Sequence, residues 1–268
     1  MKRSNRVASS FKLPELTYRV WKVWRRDFDV FMKTYKVNFF PPLLEPIFYL
    51  LAMGFGLGSF VSAVQLGYPY IKFIAPALVA ISIMYSSFFE CTYGSFVRMY
   101  FQKTFDAIIT TPINIEEVIA GELFWGATRS LISSSIVLAV VAAFGLISSP
   151  LVLLVPILAF FAGLMFSAIA MCFTALAPNI DFFNYPGFLF ITPMFLLSGT
   201  FFPLTILPQF MQILAQAVLP LTHTVTLARG LMFGNLGSTL FLGIAWIDVV
   251  TLAFFLLSIN LMKKKLIK

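Results

Sequence analysis

"YGSFVRMYFQKTFDAIITTPINIEEVIAGE", residues Tyr93 to Glu122, is a polar stretch with uncharged apolar runs on both sides. It carries Arg98, Lys103, Asp106 and three glutamates, Glu116, Glu117 and Glu122. A hairpin between neighbouring helices ordinarily takes about 2–8 residues, and this stretch is several times longer. It also has its own stop and start signals. Pro112 disfavours helix at Thr111, and Asn114 with Glu117 makes an N-x-x-E box that opens a new helix. The layout reads as helix, break, capped helix, then an apolar run. Arg98 with Gln102, and Lys103 with Asp106, fall at near-neighbour helical spacing. A long, structured polar connector between apolar runs reads as a docking surface.

The flanks set the solvent. The chain has 268 residues, of which 60% are hydrophobic and 11% charged. Soluble domains carry about 25% charged residues, so most of this chain is built for lipid. Cys91 and Cys172 sit inside apolar runs and form no disulfide or zinc spacing. The single histidine, His223, excludes a multi-histidine metal site. The first twenty residues have no apolar core, so they are not a cleavable leader. A net charge of +8 suggests nucleic acid in a soluble protein; here the charges are placed for sidedness in a membrane instead.

About 20 apolar residues cross a bilayer as a helix. Six runs qualify: Leu43 to Val64, Phe73 to Thr92, Leu123 to Ile147, Leu151 to Ala177, Phe182 to Phe202 and Ser238 to Met262. An open strand edge cannot face lipid, so all six are helices. All but three of the 19 Lys and Arg residues lie in the first 40 residues, the quoted stretch or the tail KKKLIK. That bias predicts both termini in the cytoplasm and an even number of crossings. Residues 203–235 are apolar but interrupted at Pro203, Pro208 and Pro220. They read as two short helices that dip into the outer leaflet and return. The chain reads as one all-α polytopic membrane domain, 1–268, with a cytoplasmic basic helix in 1–36 and a cytoplasmic segment in 93–122.

Lys12 to Lys33 separate on a helical wheel. Leu13, Leu16, Val20, Val23, Trp24, Phe28 and Phe31 share one side. Lys12, Glu15, Arg19, Lys22, Arg25, Arg26, Asp29 and Lys33 share the other. Asp27 alone breaks the pattern and falls on the apolar side. Such a helix lies in the membrane interface, as an anchor or also as a lever touching a cytoplasmic partner. Charges inside spans are candidate functional groups. Glu45 reads as a helix-start carboxylate, Glu90 as a partner for Arg129, and Arg129 alternatively as a snorkelling side chain. Asp181 reads as a helix cap, and Asp248 lies toward the outer side. His223 packs or caps in the outer segment.

Covalent chemistry has no residues to carry it. There is no phosphate-binding G-x-x-x-x-G-K-[ST] loop, no G-x-S-x-G elbow and no chain of intramembrane acids and histidines for protons. A transporter, a channel or secondary carrier working without ATP, and a membrane-embedded lipid-modifying enzyme remain open on the residues alone.

Four blocks resemble a known family. They are LEPIFYLLAMGFGLG, FVRMYFQKTFDAIITTPINIEEVIAGELFWGATRS, ALAPNIDFFNYPGFLFITPMFLLSGTFFP and LPLTHTVTLARGLMFG. Their order and spacing are similar to those of the membrane subunit of type-2 ABC exporters, closest to the nodulation-type branch that exports lipo-oligosaccharides. The resemblance implies a homodimer of six-span subunits in the bacterial inner membrane, with two separate cytoplasmic ATPase subunits. ATP and Mg would bind those partners, with no cofactor on this chain. The quoted stretch becomes the coupling helix. Its contact residues would be Arg98, Phe101, Gln102, Lys103, Phe105, Asp106, Thr110 and Pro112. Ser198, Gly199, Phe201, Phe202 and Pro203 would form the outer gate of the path. The cargo would be an amphiphile: a lipo-oligosaccharide, another glycan-lipid or a hydrophobic drug.

Overall fold

The computed structural model describes residues 14, 16–56, 58, 69–234 and 237–267. Among them every regular element is a helix, and six helices are long and apolar enough to cross a membrane. Helix α1 is Val20–Lys33. Helix α2 is Tyr35–Leu51, continued by a wide π turn over Ala52–Gly56. Helix α3 starts at Tyr70 and runs on to Phe101. The short α4 is Thr104–Ile109 and α5 is Ile115–Ala143. Helix α6 is Val155–Leu176, entered by a 3-10 turn at Pro150. Helix α7 is Ile180–Leu197. Two shorter helices follow, α8 (Gln209–Val218) and α9 (Pro220–Phe233), before α10, Ser238–Leu266.

Helix α6 is the centre, packed on α3, α5, α9 and α10. Where it crosses α5, small residues let the backbones close, and the Ser130 hydroxyl donates to the Ala159 carbonyl at 2.8 Å. With little hydrophobic drive between helices in lipid, such close packing and interhelical bonds supply the cohesion. Lys265 Nζ, at the end of α10, donates to the carbonyls of Thr174 (2.9 Å) and Ala177 (2.6 Å) at the end of α6. Its neighbour Lys263 pairs with Glu116 at the start of α5. The ends of α6 and α10 and the start of α5 therefore meet at one end of the bundle.

Several boundaries differ from the sequence expectation. The first span begins at Tyr35, not Leu43. Pro41, Pro42 and Pro46 lie inside the helix, a pattern that membrane helices accommodate. The far end of that expected span, 57 and 59–64, lies outside the described residues. Glu45 is consequently mid-helix, not at a helix start. The N-terminal helix starts at Val20, not Lys12: Leu16 and Thr17 are not helical. The chain before the helix is tied to the start of α5 instead: the Thr17 hydroxyl donates to Glu117 and Arg19 to the Pro112 carbonyl. Lys12, Leu13 and Glu15 lie outside the described residues. Span five stops at Leu197, so Ser198 to Phe202 form a loop. The cap near Asp181 is Asn179, whose side chain accepts from Phe182 N–H at 3.0 Å.

The quoted stretch is the largest revision. No separate capped helix precedes span three; Asn114 and Glu117 form their capping box at the start of α5 itself, with Asn114 N–H donating to Glu117 at 2.8 Å. Helix continues past Thr92, as the pattern of the stretch suggests, but it ends at Phe101 rather than running on to Thr111. The break falls at Lys103, whose backbone is left-handed (φ 54°), ahead of the turn at Pro112. Only Gln102 to Asn114 stands between the two long helices. As expected, α8 and α9 are separate, joined at a bend of 89° beside Pro220.

Candidate functional site: a charged junction beneath a cleft

The polar residues of α3 and α5 turn toward each other. Arg98 Nη2 meets Glu122 Oε2 at 2.6 Å, and Arg98 Nη1 meets Glu90 Oε1 at 2.8 Å. Eight residues of ordinary α-helix would set Glu90 and Arg98 about 80° apart. Two wide π turns, Glu90–Gly94 and Val97–Phe101, bring both to one side; such turns recur at functional positions. Gly94 lies between them: a Cβ there would stand 3.0 Å from Glu90 Oε1 and 3.4 Å from Arg98 Nη1. The glycine leaves room for the pair.

Glu122 is fully buried and also accepts from the Ser95 hydroxyl at 2.7 Å and from Arg26 at 3.1 Å. Glu90 is further satisfied by Trp125 Nε1 at 2.9 Å and Arg129 Nε at 3.3 Å. Arg129 also donates to Asn38 Oδ1 at 3.1 Å and lies 4.8 Å over the Phe31 ring. The expected Glu90–Arg129 pair therefore forms. Around it stand three arginines and three carboxylates, with Arg26 and Asp27 on α1 completing the set. Desolvation of such a group is costly unless its charges are paired, and each of the three arginines lies within 3.3 Å of a carboxylate oxygen.

Helix α1 is part of this junction. Its apolar side packs on α5: Trp24 Nε1 donates to Thr128 at 2.8 Å, and Val23 is buried. The approach is tight at Gly121, where an added Cβ would fall 2.6 Å from Val23 Cβ. Asp27, odd on the helical wheel, is 4% exposed and faces Arg98 at 3.8 Å. Burial first, and then the Glu122 carboxylate, push its pKa up to about 7, against the pull of Arg98 and Arg26.

The segment below the junction is split between anchored and open residues. Phe105 is fully buried and fixes α4 to the body, while Phe101 is 65% exposed. Gln102, Lys103, Asp106, Thr110 and Pro112 are exposed. Lys103 Nζ and Asp106 Oδ2 stand 4.0 Å apart, as their spacing suggested. Arg98 departs from the rest of the expected contact set, since its guanidinium points inward to the acids rather than outward beside Gln102. The sequence reading missed Asn38, Ser95, Glu122 and Trp125 as partners. The one visible signal was Asp27 on an apolar face.

At the other end of the bundle, the Ser198–Phe202 loop is pinned from two sides. Arg229 donates to the Gly199 carbonyl at 2.7 Å and stacks 3.8 Å over Phe73. The Tyr70 hydroxyl donates to the Phe201 carbonyl at 3.0 Å. Ser198 is buried, and Phe201, Phe202 and Pro203 are half-buried. His223 is held on α9 by the Gln216 carbonyl (2.8 Å) and by stacking on Trp246, so it packs as expected. Asp248 lines an apolar hollow with Leu227 and Leu231 of α9.

Two hollows meet at the Glu90–Arg129 pair. One, about 510 Å³, opens around Arg26, Asp27, Arg98 and Gln102. The other, about 600 Å³, runs between α2, α3 and α5 from Asn38 past Glu45 to Phe195.

Comparison with known proteins agrees with this architecture. Residues 18–233 match the ABC-2 type transporter family. The chain is 35% identical over 256 residues to Nodulation protein J of Sinorhizobium fredii, covering 95% of this chain and 97% of that protein. It is 37% identical over 214 residues to Nodulation protein J of Rhizobium meliloti, covering 80% of each. A more distant relative, the Inner membrane transport permease YadH of Escherichia coli, is 25% identical over 215 residues, 80% of this chain and 82% of that one. With six span-length helices and a family match over most of its length, this chain belongs to the ABC-2 type transporters and is a multi-pass membrane permease.

Proposed function

We propose that this permease is the membrane half of an exporter whose energy comes from separate ATPase subunits. Two copies form the path in the bacterial inner membrane, both termini are cytoplasmic, and ATP and Mg sit on the partners. The cargo is an amphiphile, with a lipo-oligosaccharide the nearest analogy among nodulation relatives. The residues 203–235 re-enter the outer leaflet and, with Ser198 to Pro203, gate the exit.

One observation carries the reading. The segment Gln102 to Asn114 hangs between two span-length helices and, with Phe101 at the end of α3, exposes Lys103, Asp106 and Thr110, while buried Phe105 holds it to the body. Immediately behind it, Arg98 ties α3 to α5 through Glu122, and Arg26 ties in α1. A push on this segment is thereby delivered to three helices as one body, which is how small displacements are transmitted through packed elements.

The test is affinity purification of the chain from native membranes. An ATPase recovered in roughly equal amount supports the reading, and uphill transport in vesicles containing only this chain overturns it. Labelling of a cysteine placed at Lys103 from the periplasmic side would overturn the orientation.

A further inference from the structure

We propose that the hollow between α6, α9 and α10 binds a compact lipophilic cation, an apolar body around one shielded positive charge, with Asp248 as its counter-ion. The site lies apart from the Glu90–Arg129 pair and the two hollows that meet there. It stands whether or not the export reading holds.

The hollow is apolar everywhere but at one place. Its volume is about 400 Å³, within the roughly 300–1,000 Å³ of small-molecule sites. Buried Leu227, Leu240 and Ile247 form its floor. Phe161 and Phe241 stand exposed at its rim, and Asp248, also exposed, is the one polar residue that lines it. Asp248 makes no hydrogen bond or ion pair among the described residues. Yet it is far from a helix end. Lys263, Lys264 and Lys265 in the last turn of α10 mark one rim of the bilayer. Asp248 is about 22 Å from Lys263 at 1.5 Å per residue, inside a hydrocarbon core of about 30 Å. Ionisable residues at such depth ordinarily pair with one another or with backbone carbonyls. An unpaired carboxylate beside an open apolar hollow marks where a ligand brings the opposite charge.

Nothing in the fold supplies that charge. Helix α6 carries no charged residue. On α9, Arg229 is engaged with the Gly199 carbonyl and the Phe73 ring, and His223 is held by the Gln216 carbonyl and stacked on Trp246. A second copy of the chain fares no better. The cations of its spans stand near helix ends or, like Arg98, Arg129 and Arg229, are engaged in its own contacts. A phospholipid tail would fill the hollow, but its headgroup belongs at the bilayer surface and leaves Asp248 alone. What fits is a cation that reaches this depth by itself. Shielding the charge within a large apolar body lowers the cost of leaving water. That body fills the hollow, and aromatic faces such as those of Phe161 and Phe241 favour a cation further.

The experiment uses the full chain in phosphatidylcholine nanodiscs, which carry no net lipid charge, and tritiated tetraphenylphosphonium. Equilibrium dialysis should show saturable binding that empty nanodiscs lack. Tritiated tetraphenylborate, of the same shape and opposite charge, should show none when measured separately. Asp248→Asn removes a charge at an exposed position. It should weaken phosphonium binding about tenfold or more, the effect of one close charge pair, with the unfolding midpoint unchanged. Asp248→Glu should keep most of the binding. An azide-bearing phosphonium should photolabel α6 and α10. No saturable binding, undiminished binding to Asp248→Asn, or equal saturable binding of tetraphenylborate overturns the proposal; the borate comparison needs no variant. Labelling confined to the cleft at Glu45, another carboxylate open to a hollow, overturns it as well.

Discussion

Arg98 and Glu122, 24 residues apart in the chain, meet through two close contacts, Nη2 to Oε2 at 2.6 Å and Nε to Oε2 at 2.9 Å. That contact fastens together the two span-length helices that flank the exposed α4 segment. Removing one partner of a buried pair costs about 3–5 kcal/mol when the other charge is left uncompensated. Here Arg26 beside Glu122 and Glu90 beside Arg98 offset part of that, whereas replacing both by apolar groups is often near neutral. Arg98→Met should therefore lower the thermal unfolding midpoint in nanodiscs sharply. Arg98→Met with Glu122→Leu should recover much of the loss, with Arg26 and Glu90 limiting how much. Equal or additive losses in the double variant would show that the pair is not coupled.

Asp27 gives the junction a pH dependence. Its pKa is raised from about 3.8 in the unfolded chain to about 7 when folded, chiefly by burial and then by Glu122. The folded state thus holds the proton more tightly. Its contribution to stability is complete below the unfolded value and declines as pH rises through about 7, then levels off. Asp27→Asn should flatten the fall in unfolding midpoint between pH 5 and pH 8. A slope unchanged by the substitution would place the titration elsewhere.

Lys103 and Asp106 separate contact from stability. Both side chains are about two-thirds exposed, and their charges stand 4.0 Å apart. Exposed pairs of this kind contribute at most about 1 kcal/mol. The double alanine variant should leave the unfolding midpoint within a degree or two while transport-coupled ATP hydrolysis drops. Lys103→Gly should be tolerated for a second reason, since φ of 54° costs a side chain roughly 1 kcal/mol that glycine does not incur. Full coupling in the double alanine variant would remove these two residues from the docking contact.

Arg229 holds the Ser198–Phe202 loop by geometry as well as by charge. Its guanidinium reaches the carbonyls of Gly199 and Phe73 (2.7 and 3.3 Å) while stacking on the Phe73 ring. A lysine supplies one point charge and no planar fork. Both Arg229→Lys and Arg229→Gln should speed amide hydrogen exchange across Ser198 to Phe202 and leave exchange at Thr104 to Ile109 unchanged. Protection of the loop that survives either substitution would leave the Tyr70 bond to Phe201 as its main restraint.

Much of the architecture was legible in local pattern. Apolar length marked the six spans, proline at Pro220 marked the bend between α8 and α9, and Asn114 with Glu117 marked the start of α5. The Glu90–Arg129 pair was also within reach, since both residues sit near the same end of adjacent spans. Other features were not. The Pro41–Pro42 pair and Lys36 hid the start of α2, because hydropathy and proline rules read one helix at a time and ignore what packs on it. The polar stretch looked like a long insert for the same reason.

Periodicity and composition, acting through the cost of exposing backbone to lipid, determined by themselves that this chain is a bundle of helical spans with a polar connector after the second. Only the tertiary structure decided that Asp27, Arg98 and Glu122 share one buried junction and that Asp248 borders an apolar hollow beside Leu227. The reason is that a charge's partner, and a charge's lack of one, depend on which helices touch. The π turns of α3 and the tight approach at Gly121 set that contact, and neither is written in the spacing of any single helix.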